Sequence, residues 1–257
     1  MWSILTADGK EGGQWDLDEF FSSGRTWIEE LWERASGLGL PHNHRNGLDF
    51  GCGVGRLTRA LADHLDEVTG LDISPSMIEL AEGHHRNFRN LNFRVHTTND
   101  LGAYKAGTFD VVCSLLVLQH LPSTAAILTY VEEFVRVLTP GGVILLQLPD
   151  AIPPETPPPT PPPSPDLRVR ARTALRPRTR LRDARSRSIR ALHRCGVSPK
   201  LLYTYADWKP EMTMLGVGQR EVAGRVLAVG GKIAASSHWV DDRTCVGNSV
   251  YFITRCG

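Results

Sequence analysis

"LDFGCGVGRLTRAL", residues 48–61, decides the fold. Three glycines, Gly51, Gly53 and Gly55, alternate with small residues directly behind a short apolar run, and a helical pattern starts at once. Outward from this turn, strand and helix signals alternate. Arg45–Phe50 reads as a strand, Arg56–Leu65 as a helix and Glu67–Ile73 as a strand. Ser74 with Pro75 behind it is a helix start, an N-cap followed by proline at the first helical position, and that helix runs to about Arg86. Leu91–Thr97 is a strand. Phe109–Leu116 is apolar nearly throughout, as a strand covered on both faces must be. Ser123–Leu138 is a helix stopped by Pro140-Gly141-Gly142, and Val143–Leu148 is the fifth strand. Strands alternating with helices predict an α/β fold, a doubly wound and mostly parallel sheet. A helix near Gly218–Val229 and two closely spaced strands, Lys232–Trp239 and Val246–Thr254, complete seven strands, the last two as an antiparallel pair.

Two regions fall outside this rhythm. Residues 16–37 carry Leu17, Phe20, Phe21, Trp27, Ile28, Leu31 and Trp32 at helical spacing, with Gly24 as an expected interruption or kink. "PPETPPPTPPPSP", residues 153–165, is a polyproline linker that cannot form a packed core. The division is therefore a helical cap over 1–40, a core over 41–150, a Pro-rich and Arg-rich insert over 151–210 between strands five and six, and the end of the core sheet over 211–257.

The chain has 257 residues, 41% of them apolar, enough for one large domain with a full core. The formal charge of +1 hides an asymmetry. Between Asp166 and Arg194 stand eleven arginines and two aspartates, a local charge of +9, so the rest of the chain is acidic. The five cysteines are scattered and form no CxxC pair, which indicates neither a disulfide framework nor a zinc site; no metal is expected. No stretch approaches the roughly 20 apolar residues of a membrane span, and the N-terminus does not read as a signal peptide, so a cytoplasmic setting is expected.

The glycine turn suits three ligands: a dinucleotide, a nucleotide phosphate or S-adenosylmethionine. A dinucleotide fingerprint, G-x-G-x-x-G, needs glycine at position 56, and a phosphate-binding P-loop needs one there followed by lysine; the residue is Arg56. What stands here is G-x-G-x-G, whose bare backbone lets a ligand approach and whose amides can bind a carboxylate or a ribose. Asp72 ends the second strand, where a carboxylate can accept two hydrogen bonds from vicinal ribose hydroxyls.

"LDFGCGVGRLTRAL", "VTGLDISPSMIELA", "FDVVCSLLVLQHL" and "VEEFVRVLTPGGVILLQLP" resemble four successive motifs of class I S-adenosylmethionine-dependent methyltransferases, in that family's order and spacing. The resemblance covers about residues 45–149; "VLAVGGKIAA" and "YFITRC" agree more weakly. It implies S-adenosyl-L-methionine as cofactor. It also implies that Asp49, Gly51, Gly53 and Gly55 line the methionine and ribose part, that Asp72 holds the ribose hydroxyls, and that Ile73 and Met77 flank the adenine. In "TNDL" it points to Asp100 and Leu101 as adenine contacts, and it sets Leu115 near the sulfonium. Arg25 is a candidate partner for the cofactor's carboxylate.

Methyl transfer from a sulfonium is an in-line displacement, in which the protein positions the nucleophile, excludes water and removes a proton from a hydroxyl acceptor. His120, just past the fourth strand, is the candidate base, because imidazole titrates near neutrality. His238 with Asp241 is a second pair, read as loop residues. The Asn/Asp/Ser-Pro-Pro-aromatic motif of base-amine methylation is absent, since the corresponding place reads Ser114-Leu115-Leu116-Val117. The expected acceptor is a hydroxyl or amine of a small molecule. Nucleic acid is disfavoured, because the Arg-rich stretch carries no Phe, Tyr or Trp for base stacking. The competing readings are an RNA or protein methyltransferase anchored by that stretch, and a catalytically silent cofactor-binding partner.

Overall fold

A computed structural model describes residues 15–151, 214–240 and 246–255. The insert past Ala151, its polyproline and Arg-rich parts, and Asp241 lie outside the described residues. In chain order the elements are α1 (Leu17–Gly37), β1 (Asn46–Phe50), α2 (Arg56–Leu61), β2 (Glu67–Asp72), α3 (Pro75–His85) and β3 (Leu91–Val95). They continue with β4 (Phe109–Ser114), a 3₁₀ turn (Leu118–His120), α4 (Thr124–Val137), β5 (Leu138–Ala151), α5 (Gln219–Ala228), β6 (Gly231–Val240) and β7 (Gly247–Arg255).

One seven-stranded sheet has the order β3-β2-β1-β4-β5-β7-β6. The first five strands pair in parallel, and β7 runs antiparallel to both β5 and β6. Strand alternation divides the core between two faces. Val143 and Leu145 of β5 and Val250 and Phe252 of β7 pack with α1 and α2. Ile144, Leu146 and Leu148, with Tyr251 and Ile253, pack with α4 and α5 on the other face. Both faces being covered explains the unbroken apolar runs in β4 and β5.

Three local expectations change. Gly24 does not break α1, which runs without interruption through it. Its bareness serves packing: a Cβ there would stand 2.6 Å from the Arg56 carbonyl oxygen at the start of α2. The helix after β1 stops at Leu61 rather than Leu65. Pro140-Gly141-Gly142 is not a loop between helix and strand. It is the irregular first part of β5, which begins at Leu138, and the register shifts there because Gly141 takes a positive φ of 75°.

In this order the progression of strands reverses between β1 and β4, which run parallel. The crevice beyond the carboxyl ends of those two strands is where an open α/β sheet binds its ligand.

Candidate functional site

The turn after β1 crosses the carboxyl end of β2. Gly51 and Cys52 both donate their N–H groups to the Leu71 carbonyl, at 2.7 and 2.9 Å, which fixes the turn on the neighbouring strand. The three glycines have positive φ and three different surroundings. A Cβ at Gly51 would collide with Val117, beyond β4. One at Gly55 would stand 2.8 Å from His85 and from Phe93. Only at Gly53, of the three, would it meet nothing within 4 Å among the described residues. The absent side chains of Gly51 and Gly55 therefore let protein pack on protein, and that of Gly53 leaves open space.

Asp72 faces that space. Its Oδ2 accepts the Gly53 N–H at 2.9 Å and its Oδ1 accepts the Ser74 N–H at 2.8 Å. A carboxylate oxygen has two acceptor positions, so each keeps one for a ligand hydroxyl. Ile73, next in the chain, is 74% exposed and offers an apolar platform beside the carboxylate. Met77 lies one turn further, half-buried on α3.

Asp49 sits under this surface. It is buried and accepts the Thr58 hydroxyl at 2.6 Å. Burial pushes its pKa up to about 6, against the opposing pull of the Thr58 hydrogen bond and the Arg56 charge. Its carboxylate supports the turn from below instead of lining the open space, because α2 and its Thr58 cover it. Cys52 is buried and its thiol is pushed well above its usual range, chiefly by desolvation, so it is inert beside the turn.

On the other side of the crevice the chain leaves β4 through a strained step. Leu116 adopts φ +64°, rare for a non-glycine residue, and donates its N–H to Gln147 Oε1 at 2.7 Å. Gln147 is buried and donates onward to Asn248 Oδ1 at 2.8 Å, so β5 and β7 hold this corner in shape. Leu115 directs its side chain into the core. His120 ends the 3₁₀ turn that follows. It is exposed, yet partial desolvation lowers its pKa below the ordinary value, which favours the neutral ring that accepts protons.

The remaining candidates separate. Asp100 is exposed after β3, with Oδ1 accepting the Gly102 N–H at 2.9 Å. Leu101 does not offer a side chain to a ligand. It is fully buried, its N–H goes to Glu133 Oε2 at 2.7 Å and its carbonyl accepts from Arg136 at 3.0 Å. Those α4 residues hold the loop that carries Asp100. Arg25 pairs with Asp63 at 3.0 Å, past the far end of α2, and is not brought to the glycine turn. The sequence reading missed Leu116 and Gln147; the signal for Gln147 was a lone amide in the apolar run 143–149.

Residues 48–146 match the family described as "Methyltransferase domain". A ubiquinone biosynthesis O-methyltransferase of Xanthomonas oryzae pv. oryzae is 34% identical over 100 residues, covering 38% of this chain and 41% of that protein. The chain thus matches less than half the length of that curated relative. Magnesium protoporphyrin IX methyltransferase of Synechocystis PCC 6803, solved with bound SAH, superposes with a TM-score of 0.55 at 18% identity, over 95% of this chain and 90% of that one. The cyclase SpnF gives 0.56 at 14% identity, over 90% and 81%. These two likenesses are of fold alone, and they join a methyltransferase to a cyclase. Together, the sequence match over 48–146 and the strand order make this stretch a domain of the class I S-adenosylmethionine-dependent methyltransferase superfamily.

Proposed function

We propose that the chain binds S-adenosylmethionine in the crevice between the turns after β1 and β4, and transfers its methyl group to a hydroxyl or amine of a small molecule. The observation that carries this reading is Asp72. Both of its oxygens are held by backbone N–H groups, both keep an acceptor position, and the open side of Gly53 lies beside them. That arrangement fits a pair of vicinal ribose hydroxyls, with exposed Ile73 against the adenine.

When bound, S-adenosylmethionine supplies an electrophilic methyl group on a sulfonium. Asp72 and the Gly53 turn orient the cofactor's ribose. The Leu116 corner shapes the wall next to the acceptor. His120 takes the acceptor's proton as the new bond to carbon forms, and its neutral ring at physiological pH is the form that does so. The O-methyltransferase name of the curated relative agrees with a hydroxyl acceptor.

Calorimetry tests the cofactor assignment. S-adenosylmethionine should bind one to one and NAD should not. Asp72→Ala should weaken binding by roughly tenfold to a hundredfold, the loss of about 1.5–3 kcal/mol of charge-assisted hydrogen bonding. Unchanged affinity in this variant places the ribose elsewhere.

A further inference from the structure

At the carboxyl end of β5, Asp150 gathers side chains from three other elements. Its Oδ2 accepts from Gln219 Nε2 of α5 at 2.8 Å and from the Ser249 hydroxyl of β7 at 2.9 Å, and lies 2.9 Å from His238 Nδ1 of β6. The Asp150 side chain is only 8% exposed, and its Oδ1 is buried with no partner among the described residues. Burial alone would raise the pKa of this carboxyl; the bonds from Gln219 and Ser249, with His238 close by, hold it below its ordinary value. Nothing in the methyl-transfer chemistry above uses this group.

The geometry fixes what His238 can do. A neutral imidazole has one donor nitrogen and one acceptor nitrogen. In the neutral ring, with Nδ1 against a carboxylate oxygen, the proton is on Nδ1 and Nε2 carries a lone pair with no partner among the described residues. His238 is 45% exposed and stands near the end of β6, at the same sheet edge as the crevice. A second acceptor with no partner among the described residues is Gln119 Oε1, buried in the turn after β4. The short run 214–218 links the two places: Leu215 N–H donates to the Gln119 carbonyl and Val217 N–H to the Pro149 carbonyl. His238 Nε2, Asp150 Oδ1 and Gln119 Oε1 are all acceptors. Gln119 Nε2, which could have donated, is directed at Met214 Sδ, 3.6 Å away. The complementary group is one that carries O–H or N–H.

We propose that His238, held by Asp150, binds a hydroxyl or amino group of the methyl acceptor at the end remote from the methylated atom. The inference rests on the assignment of the crevice to S-adenosylmethionine. His238 reaches across β7 to Asp150, and β7 stands two strands from β4, so this grip is about 10 Å from the crevice. That distance is too long for a base acting at the methylated atom and suits the far end of a molecule of two fused or linked rings. His238 is thus a specificity residue, while proton removal stays with His120.

The test uses the full chain saturated with S-adenosylhomocysteine, and two probes. In 4,4′-dihydroxybiphenyl the two hydroxyls match the spacing of about 10 Å set by two interstrand steps; 4-hydroxybiphenyl lacks the second. Calorimetry should show the dihydroxy probe binding about tenfold more tightly. Nitrogen NMR of the histidine rings should show His238 protonated on Nδ1, with Nε2 shifting only when the dihydroxy probe is added. In His238→Phe and in Asp150→Asn the tenfold preference should fall to about one, with affinity for S-adenosylhomocysteine unchanged. Equal binding of the two probes by the unmodified chain, including no binding of either, overturns the inference. So does a proton on Nε2, or a preference that survives both substitutions. These readings on the unmodified chain stand even where a variant does not fold. If S-adenosylhomocysteine itself does not bind, the cofactor assignment fails, and this inference with it.

Discussion

The two edges of the sheet treat buried carboxylates in opposite ways. At the amino edge, Asp110, near the start of β4, is buried and both of its oxygens have partners. Its Oδ2 accepts the Arg45 and Asn46 N–H groups at 3.0 and 3.1 Å, and its Oδ1 accepts the Thr139 hydroxyl at 3.0 Å, so β1, β4 and β5 are tied at their starts. At the carboxyl edge the polar atoms are left short. Asp49 has one hydroxyl donor and a pKa raised to about 6, and Ser114 Oγ, Gln119 Oε1 and Asp150 Oδ1 have no partner among the described residues. An unpaired buried polar group costs about 1–3 kcal/mol, so such a concentration is expensive unless something else is bound there. One edge is built for stability and the other for occupancy.

The sharpest way to break this contrast is at His120. If the carboxyl edge is the working edge, His120→Ala should lower turnover by roughly 10²–10⁴ with cofactor affinity nearly intact, measured by steady-state kinetics beside calorimetry. A large loss of cofactor affinity with normal saturated turnover would make it a binding residue. At the opposite edge, Asp110→Ala strands two backbone N–H groups and a hydroxyl. It should cost about 3 kcal/mol in denaturant unfolding and leave the affinity of the folded fraction for S-adenosylmethionine unchanged.

Asp49→Asn should do the reverse. The folded pKa of about 6 lies above the ordinary 3.8, so between those values the folded chain keeps a proton that the unfolded chain has released. Stability contributed by this site is therefore full below pH 4 and falls as pH rises through 6. Replacing the carboxyl by an amide should stabilise the cofactor-free protein by up to about 3 kcal/mol at pH 7.5 and by almost nothing at pH 4. Melting curves at the two pH values decide it; a constant difference would mean that Asp49 is not titrating. Smallest of all, Ser114→Ala removes a hydroxyl with no partner among the described residues, and should be neutral or stabilising by less than about 1 kcal/mol. A loss of more than that would reveal a partner for this hydroxyl.

Much of the core was legible in sequence because its signals are local. The glycine turn, the Ser74-Pro75 helix start and the apolar run of β4 each follow from neighbours in the chain. What depended on distant contacts was not legible. The missing side chains of Gly51 and Gly55 make room for Val117, His85 and Phe93, and no local pattern announces those neighbours. Leu101 follows Asp100 and looked equally available, yet Glu133 and Arg136 fold it into the core. Sequence proximity paired His238 with Asp241, which lies outside the described residues, and gave no sign that the antiparallel return of β7 sets His238 against Asp150. The left-handed step at Leu116 has no sequence signal, since nothing in leucine favours that conformation.

The hydrogen bond from Val217 to the Pro149 carbonyl brings together the two points at which the sheet gives up the chain after Ala151 and takes it back near Met214. Because exit and return adjoin, the sheet sets no required length for what lies between. Closing a longer excursion costs only about 0.6 kcal/mol for each doubling. The position is therefore a port, where a passage of any length can be inserted while the crevice beyond β1 and β4 keeps its shape.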